Sequence, residues 1–278
     1  MFTCTLLGGL GNQLFQIITT ISLSIDKGDD FFFIISKPPL GIPKRSDYWF
    51  TFFRNLHRFY KKESPSSIKV KEISFNYHPF EESFDKNKLY SLFGYFQSYK
   101  YFNHNKEKIF ELLNLKSIKS NISTKINLDF DNTISIHFRI GDYKLKQGAH
   151  PVLPIEYYIN SLHFLKDNID NFKNKKILYV FDEADQIQIL KNINLLKLLF
   201  TNEFLPIDNN LLDWQQLIVM SLCKHNVIAN SSFSWWGSYF NQHEQSIICY
   251  PSVWFGPNLN NNDTKDLCLK EWNRIEII

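Results

Sequence analysis

The strongest constraint on the fold is a repeated switch between two hydrophobic periods. Residues 2–7 form a short apolar run that breaks at Gly8-Gly9-Leu10-Gly11. Leu14, Ile17, Ile18, Ile21 and Ile25 then recur at helical spacing. A second apolar run occupies 31–36 and stops at Pro38-Pro39. Strand, loop, helix, strand in that order marks an α/β chain, because parallel strands need a crossover between them. The alternation resumes at Thr133. Runs at 133–140, 176–181, 226–229 and 246–250 read as strands, with helical spacing at 154–162, 184–190, 211–223 and 235–240. A helix is also expected at 106–113, followed by a polar linker over 116–127, and a strand end at Gly94-Tyr95-Phe96-Gln97. The 278 residues allow one large domain or two modest ones, with a boundary near residue 130.

Residues 133–143 read Thr-Ile-Ser-Ile-His-Phe-Arg-Ile-Gly-Asp-Tyr. As a strand, this stretch places Ile134, Ile136, Phe138 and Ile140 on one face and Ser135, His137 and Arg139 on the other, so one face is expected to be buried. Gly141-Asp142 ends the strand as a turn. His137 and Arg139 then stand near the carboxyl end of a strand, where open α/β sheets bind ligands. A fixed guanidinium there suits an anion, most often a phosphate. The structural alternative is an Arg139–Asp142 pair bracing a turn beside a core histidine.

Three further loops carry polar groups at strand ends. Gly8, Gly9 and Gly11, followed by Asn12-Gln13, let backbone N–H groups approach a ligand ahead of a helix N-terminus. This loop is neither a dinucleotide fingerprint nor a Walker A sequence, and it is equally readable as a tight turn. Asn230-Ser231-Ser232-Phe233-Ser234 opens another helix with small hydroxyls, which suits a phosphate cradle or plain N-capping. The following Trp235-Trp236 reads as packing. Asp182 and Glu183 close the 176–181 strand, where a carboxylate can bind a ribose or guanine edge, or simply cap a helix. Together, a Gly-rich loop, an Arg-bearing strand and a serine turn fit one diphosphate. No Asp-x-Asp pair stands out beside it and Cys/His ligand sets are absent, so no metal and no cofactor are expected.

Other features narrow the class. The net charge of +3 is too small to argue for nucleic acid or a membrane surface. Cys4, Cys223, Cys249 and Cys268 lack metal-ligand spacing and read as buried thiols of a reducing compartment. The apolar start is too short for a signal peptide, and no run approaches a membrane span. The expectation is therefore a cytoplasmic protein.

The motifs Gly8–Gln13, His137–Asp142 and Asn230–Trp236 resemble those of the α-1,2-fucosyltransferase family, glycosyltransferase family 11, built on G-G-L-G-N-Q, H-x-R-x-G-D and N-S-S-F-S-W-W. Gly94-Tyr95-Phe96-Gln97, the 213–229 lead-in and Pro251 with Trp254-Phe255 are similar to family sequence as well. The resemblance implies a GT-B-like α/β fold, two Rossmann-like lobes with the active site in the cleft. It implies an N-terminal lobe over 1–130 with the Gly-rich loop and acceptor loops, and a nucleotide-sugar-binding lobe over 131–278. It implies transfer of L-fucose from GDP-β-L-fucose to the 2-hydroxyl of a terminal β-galactoside, with inversion and without metal. Arg139 would hold the β-phosphate and His137 would lie against the donor. Gly8, Gly9, Gly11 and Asn12 would approach the diphosphate and fucose, and Asn230, Ser231, Ser232 and Phe233 would complete the pyrophosphate site. Where the family often has Phe-Ser-Asp-Asp, this chain has Phe181-Asp182-Glu183-Ala184, so the acid facing guanosine is Asp182 or Glu183. Asp142 is a general base or a brace for Arg139. The 38–80 region matches little of the family and is where acceptor contacts are expected. Two alternatives stand beside this reading: a related transferase with another nucleotide-deoxysugar or a non-galactose acceptor, and a non-catalytic GDP-sugar or glycan-binding protein.

Overall fold

The computed structural model describes residues 1–34, 48–63, 65–81 and 83–277. The end of the expected 31–36 strand, the Pro38-Pro39 stop and part of the expected acceptor region lie outside these residues. The chain forms two compact units: residues 1–118 with 262–269, and residues 119–261 with 270–278. Both are α/β with parallel sheets, in agreement with the expected two-lobed α/β chain.

In the first unit, β1 (Phe2–Cys4) pairs in parallel with β5 (Tyr90–Phe93), which pairs with β4 (Ile68–Lys71). A second parallel pair joins β2 (Phe33–Ile34) to β3 (Tyr60–Lys61). Helix α1 (Leu10–Lys27) follows β1 and buries Leu14, Ile17, Ile18 and Ile21, the face read from the sequence. Thr20 and Ser24 are buried in the same helix, and their hydroxyls donate to the Gln16 and Thr20 carbonyls at 2.7 and 2.9 Å. The helix stops at Gly28, whose φ of +56° and N–H bond to the Ile25 carbonyl (3.2 Å) suit a residue without a side chain.

Helix α2 (Lys106–Leu113) has the expected bounds. The expected polar linker after it is instead helix α3 (Leu115–Ser123). Leu115 and Ile122 are buried at helical spacing, and this weak apolar stripe outweighs the lysines and serines on the exposed side.

The second unit carries six parallel strands. They are β6 (Thr133–His137), β7 (Lys176–Val180), β8 (Phe204–Pro206), β9 (His225–Val227), β10 (Ile248–Pro251) and β11 (Asn273–Ile275). Four helices, α4 (Ile155–Asn168), α5 (Gln186–Leu199), α6 (Asp213–Leu222) and α7 (Ser232–Tyr239), connect them. The spatial order is β11-β10-β9-β6-β7-β8. Numbered within this unit, that is the doubly wound order 3-2-1-4-5-6, and the winding reverses between β6 and β9. Ser135 faces Asn226 across that reversal and accepts a bond from its Nδ2 at 2.6 Å.

Strand β6 departs from the expected one-sided burial. All five of its residues are buried, Ser135 and His137 included, and it ends at His137, so Arg139 lies two residues beyond it. A central parallel strand has helices over both faces, and its alternation then reports polarity rather than exposure. The strands at 204–206 and 273–275 carried too little pattern to be recognised.

Candidate active site

The winding reversal places the loops after β6 and β9 together at the carboxyl ends of the strands, the position where doubly wound sheets bind ligands. Two contacts join them. The Tyr143 hydroxyl donates to the Asn230 carbonyl at 3.1 Å, and the His137 ring lies 5.4 Å from the Phe233 ring.

Gly141 turns the chain directly after Ile140 with φ +30°, a conformation that favours glycine. Its N–H donates to Asp185 Oδ2 at 2.5 Å, and Lys144 Nζ donates to Asp185 Oδ1 at 2.6 Å. Asp185 is buried and anchors the loop to the start of α5. Arg139 Nη2 donates to Asp142 Oδ1 at 2.5 Å, and Lys146 Nζ donates to Asp142 Oδ2 at 3.0 Å. The guanidinium lies 5.0 Å over the Tyr143 ring, which stacks on His150 at 5.1 Å. Burial alone would raise the Asp142 carboxyl, but the Lys146 and Arg139 cations outweigh it and hold the group below the usual carboxylate range.

His137 is neutral. Burial pushes its imidazole down to about 3, and the Arg139 charge adds to the shift. Tyr158 donates to the His137 carbonyl at 3.1 Å. On the facing loop, Ser231 caps α7, its Oγ accepting from Phe233 N at 3.3 Å. The helix begins at Ser232, earlier than the expected 235, so Ser232 and Phe233 form its first turn and the Phe233 N–H is the one that Ser231 caps. Asn230 Nδ2 donates to the Pro151 and Trp254 carbonyls at 2.9 and 3.2 Å. Trp235 and Trp236 are fully buried, as their packing role implied.

Three buried side-chain atoms at the end of β6 and in the loops after β6 and β9 have no hydrogen-bond partner among the described residues: His137 Nδ1, Arg139 Nε and Asn230 Oδ1. The buried hydroxyls of Thr3, Thr19 and Ser238 are in the same state elsewhere, so what distinguishes these three atoms is their place together at the winding reversal. Asp182 and Glu183 are exposed at the neighbouring strand end, and Asp182 Oδ1 caps the turn by accepting from Ala184 N at 3.1 Å.

The chain does hold one Asp-x-Asp triplet, Asp129-Phe130-Asp131, which precedes β6 at the opposite end of the strand. Asp129 accepts from Asn132 Nδ2 at 2.6 Å. Among the described residues no group of three or more His, Cys, Asp or Glu is placed to hold a metal ion. No described helix is long and apolar enough to cross a membrane.

In the first unit, the Gly8-Gly9 loop leads into α1, so Gly11 and Asn12 lie in the first helical turn. Gly8 has φ +79°, and a Cβ there would stand 2.4 Å from Asn12 Nδ2. Gln16 pins the loop, accepting from Leu7 N at 2.8 Å and donating to its carbonyl at 3.3 Å. Gln97 Nε2 donates to Asn12 Oδ1 at 2.9 Å, which fixes the orientation of the Asn12 amide. Gln97 is itself held through its loop. Glu72 accepts from Tyr95 N and Phe96 N, both at 2.7 Å, while burial raises the Glu72 carboxyl. A Cβ on Gly94 would stand 2.3 Å from the Glu72 Cβ.

Tyr143, Asp185, Gln97 and Glu72 were not singled out as functional from sequence. Tyr143 and Gln97 lie inside family-like motifs, which was a usable signal. Asp185 looks like any acid in a helix's first turn, and Glu72 sits in unpatterned sequence.

Comparison with known proteins gives a family match over nearly the whole chain: the sequence model of glycosyl transferase family 11 matches residues 1–276. An Escherichia coli O-antigen biosynthesis glycosyltransferase, WbnK, is 28% identical over 190 residues, spanning 64% of this chain and 59% of its own length. An Escherichia coli alpha-1,2-colitosyltransferase is 32% identical over 190 residues, spanning 66% of this chain and 61% of its own length. The chain thus covers less than two thirds of either relative. Among solved structures, an arginine-to-lysine mutant of Arabidopsis thaliana FUT1 in complex with GDP aligns with TM-score 0.46 and 12% identity, covering 89% of this chain and 69% of that one. A glycosyl transferase family 9 protein from Veillonella parvula aligns with TM-score 0.46 and 10% identity, covering 99% and 85%.

Proposed function

The chain belongs to glycosyl transferase family 11, and from that premise we propose that it transfers L-fucose from GDP-β-L-fucose to the 2-hydroxyl of a galactoside, with inversion. The observation that carries the reading is the unpartnered buried Nε–H of Arg139 at the winding reversal, a donor that a phosphate oxygen can satisfy. A nucleoside diphosphate supplies acceptors for the Arg139 N–H groups, and the N-terminal end of the α7 dipole favours its charge. The family resemblance assigns Gly8, Gly9, Gly11 and Asn12 to the donor's diphosphate and fucose, and leaves the guanosine acid between Asp182 and Glu183.

The reaction is a single in-line displacement. The acceptor hydroxyl attacks the anomeric carbon while the bond to the β-phosphate oxygen breaks, and negative charge grows on that phosphate. Arg139 and the N-terminal end of the α7 dipole stabilise that growing charge more than the ground state, which lowers the barrier. His137, neutral and against Phe233, shapes the wall of the donor site rather than adding charge. Asp142 braces Arg139. The proton leaves the acceptor hydroxyl late and passes to water or to the departing β-phosphate oxygen, because GDP is a good leaving group and little basicity is required.

A second reading is supported by the relative named an alpha-1,2-colitosyltransferase: the same type of linkage with a different deoxysugar on the nucleotide. Turnover with a panel of GDP-linked and other nucleotide sugars separates the two. GDP binding without transfer or hydrolysis of any of them would instead indicate a non-catalytic sugar-nucleotide binder.

A further inference from the structure

Helix α5 in the second unit carries large aliphatic side chains on both its buried and its exposed sides. Ile189, Ile193 and Leu196 are buried. On the outer side Ile187, Leu190, Leu195, Leu198 and Leu199 are between 44% and 81% exposed. Five large aliphatic side chains on one exposed helical face, with Gln188, Lys191 and Asn194 among them, mark a contact surface. This surface lies outside the residues assigned to the reaction, and it does not depend on which sugar is transferred.

The charges on the helix select its occupant. Residues 186–199 contain Lys191 and Lys197 and no acid. At 100° per residue, Lys191 falls between Ile187 and Leu195, in the middle of the outer face. The acids that precede the helix lie before its first turn, and of these Asp185 is buried and paired with Lys144. Beyond its C-terminal end, Glu203 is paired with Lys176 at 3.3 Å. A contact with a second copy through this face would set Lys191 against a helix with no carboxylate to pair it. An anionic bilayer instead offers phosphates to Lys191 and Lys197 and an acyl boundary to the leucines, with the lysine stems lying along the apolar surface. The small net charge of the chain does not oppose this, because it averages over faces that the lipid never meets.

We propose that the outer face of α5 is a docking surface for anionic lipid, entered chiefly by its leucine-rich C-terminal half. The test is flotation of the full chain with vesicles of phosphatidylcholine alone or mixed with phosphatidylglycerol. The expected result is flotation with the mixed vesicles only, weakened by salt. The double variant Leu195→Ser/Leu198→Ser and the single variant Lys191→Glu should each lose flotation while keeping the wild-type thermal unfolding midpoint. Ile73→Ser, at an exposed site in the first unit, should float normally. Absence of flotation by the wild-type chain, equal flotation by the α5 variants, or a dimer in sedimentation that the α5 double variant disperses would each overturn the proposal.

Discussion

Arg139 and Asp142 form a closed pair three residues apart: Nη2 meets Oδ1 at 2.5 Å, and the other carboxylate oxygen is taken by Lys146 at 3.0 Å. Both oxygens of Asp142 therefore face cations, and its carboxyl is held below the usual range. A carboxylate stabilised in that way is a poor proton acceptor, which is the physical reason for reading it as a brace. The pair is partly exposed, so its worth to overall stability is small. Its effect lies in where it holds the guanidinium.

Asp142→Asn tests the brace directly. The amide oxygen still accepts from Arg139, so kcat should fall by less than about a hundredfold and the acidic limb of the pH–rate profile should not move. Loss of a general base costs ~10²–10⁴ and removes a titrating limb. Steady-state kinetics of the variant from pH 5 to 9 distinguish the outcomes.

Arg139→Ala should lower kcat by ~10²–10³, the usual cost of removing a donor aimed at developing charge. Arg139→Lys should recover only part of the rate, since a point charge cannot replace the planar fork that pairs with Asp142 and lies over Tyr143. Unchanged circular dichroism and thermal midpoints would confine the effect to the site.

His137 makes the folded state acid-sensitive. The unfolded imidazole titrates near 6.5, whereas burial and the Arg139 charge bring the folded group to about 3. The unfolded chain therefore binds more protons between these values. Stability from this source is complete above pH 6.5 and declines as pH falls toward 3. His137→Gln should flatten the dependence of the urea midpoint on pH across that window. A residual slope should persist from His225, which burial likewise lowers, to about 4.

Gln97→Leu removes the donor that orients the Asn12 amide, and Glu72→Gln removes the charge from the acceptor that holds the Gln97 loop. If Asn12 contacts the donor, Gln97→Leu should lower kcat/KM by about tenfold, the scale of one lost neutral hydrogen bond. Glu72→Gln should have a smaller effect in the same direction. A fall in the thermal midpoint with unchanged kinetics would assign both residues to folding alone.

Much of this was legible in the sequence. The β/α alternation set the class, and the turn at Gly141, an N-cap by Ser or Asn within 230–234 and the helix at 106–113 followed from local chemistry. Less local facts were not legible. Residues 116–127 read as polar because only one stripe, with Leu115 and Ile122, is buried. Ser135 and His137 looked exposed because a polar side chain in a doubly covered strand shows the same alternation as one in water. Asp185 acquires its importance from Gly141 and Lys144, more than forty positions away, which no single-sequence pattern reports.

The central claim is tested most directly by the product formed from GDP-fucose and a simple β-galactoside. The expected result is GDP release coupled to a product whose fucose is α-linked to the galactose 2-hydroxyl, with the signal lost in Arg139→Ala. A folded wild-type chain that leaves GDP-fucose intact while turning over another nucleotide sugar, or that joins fucose to a different hydroxyl, would contradict it.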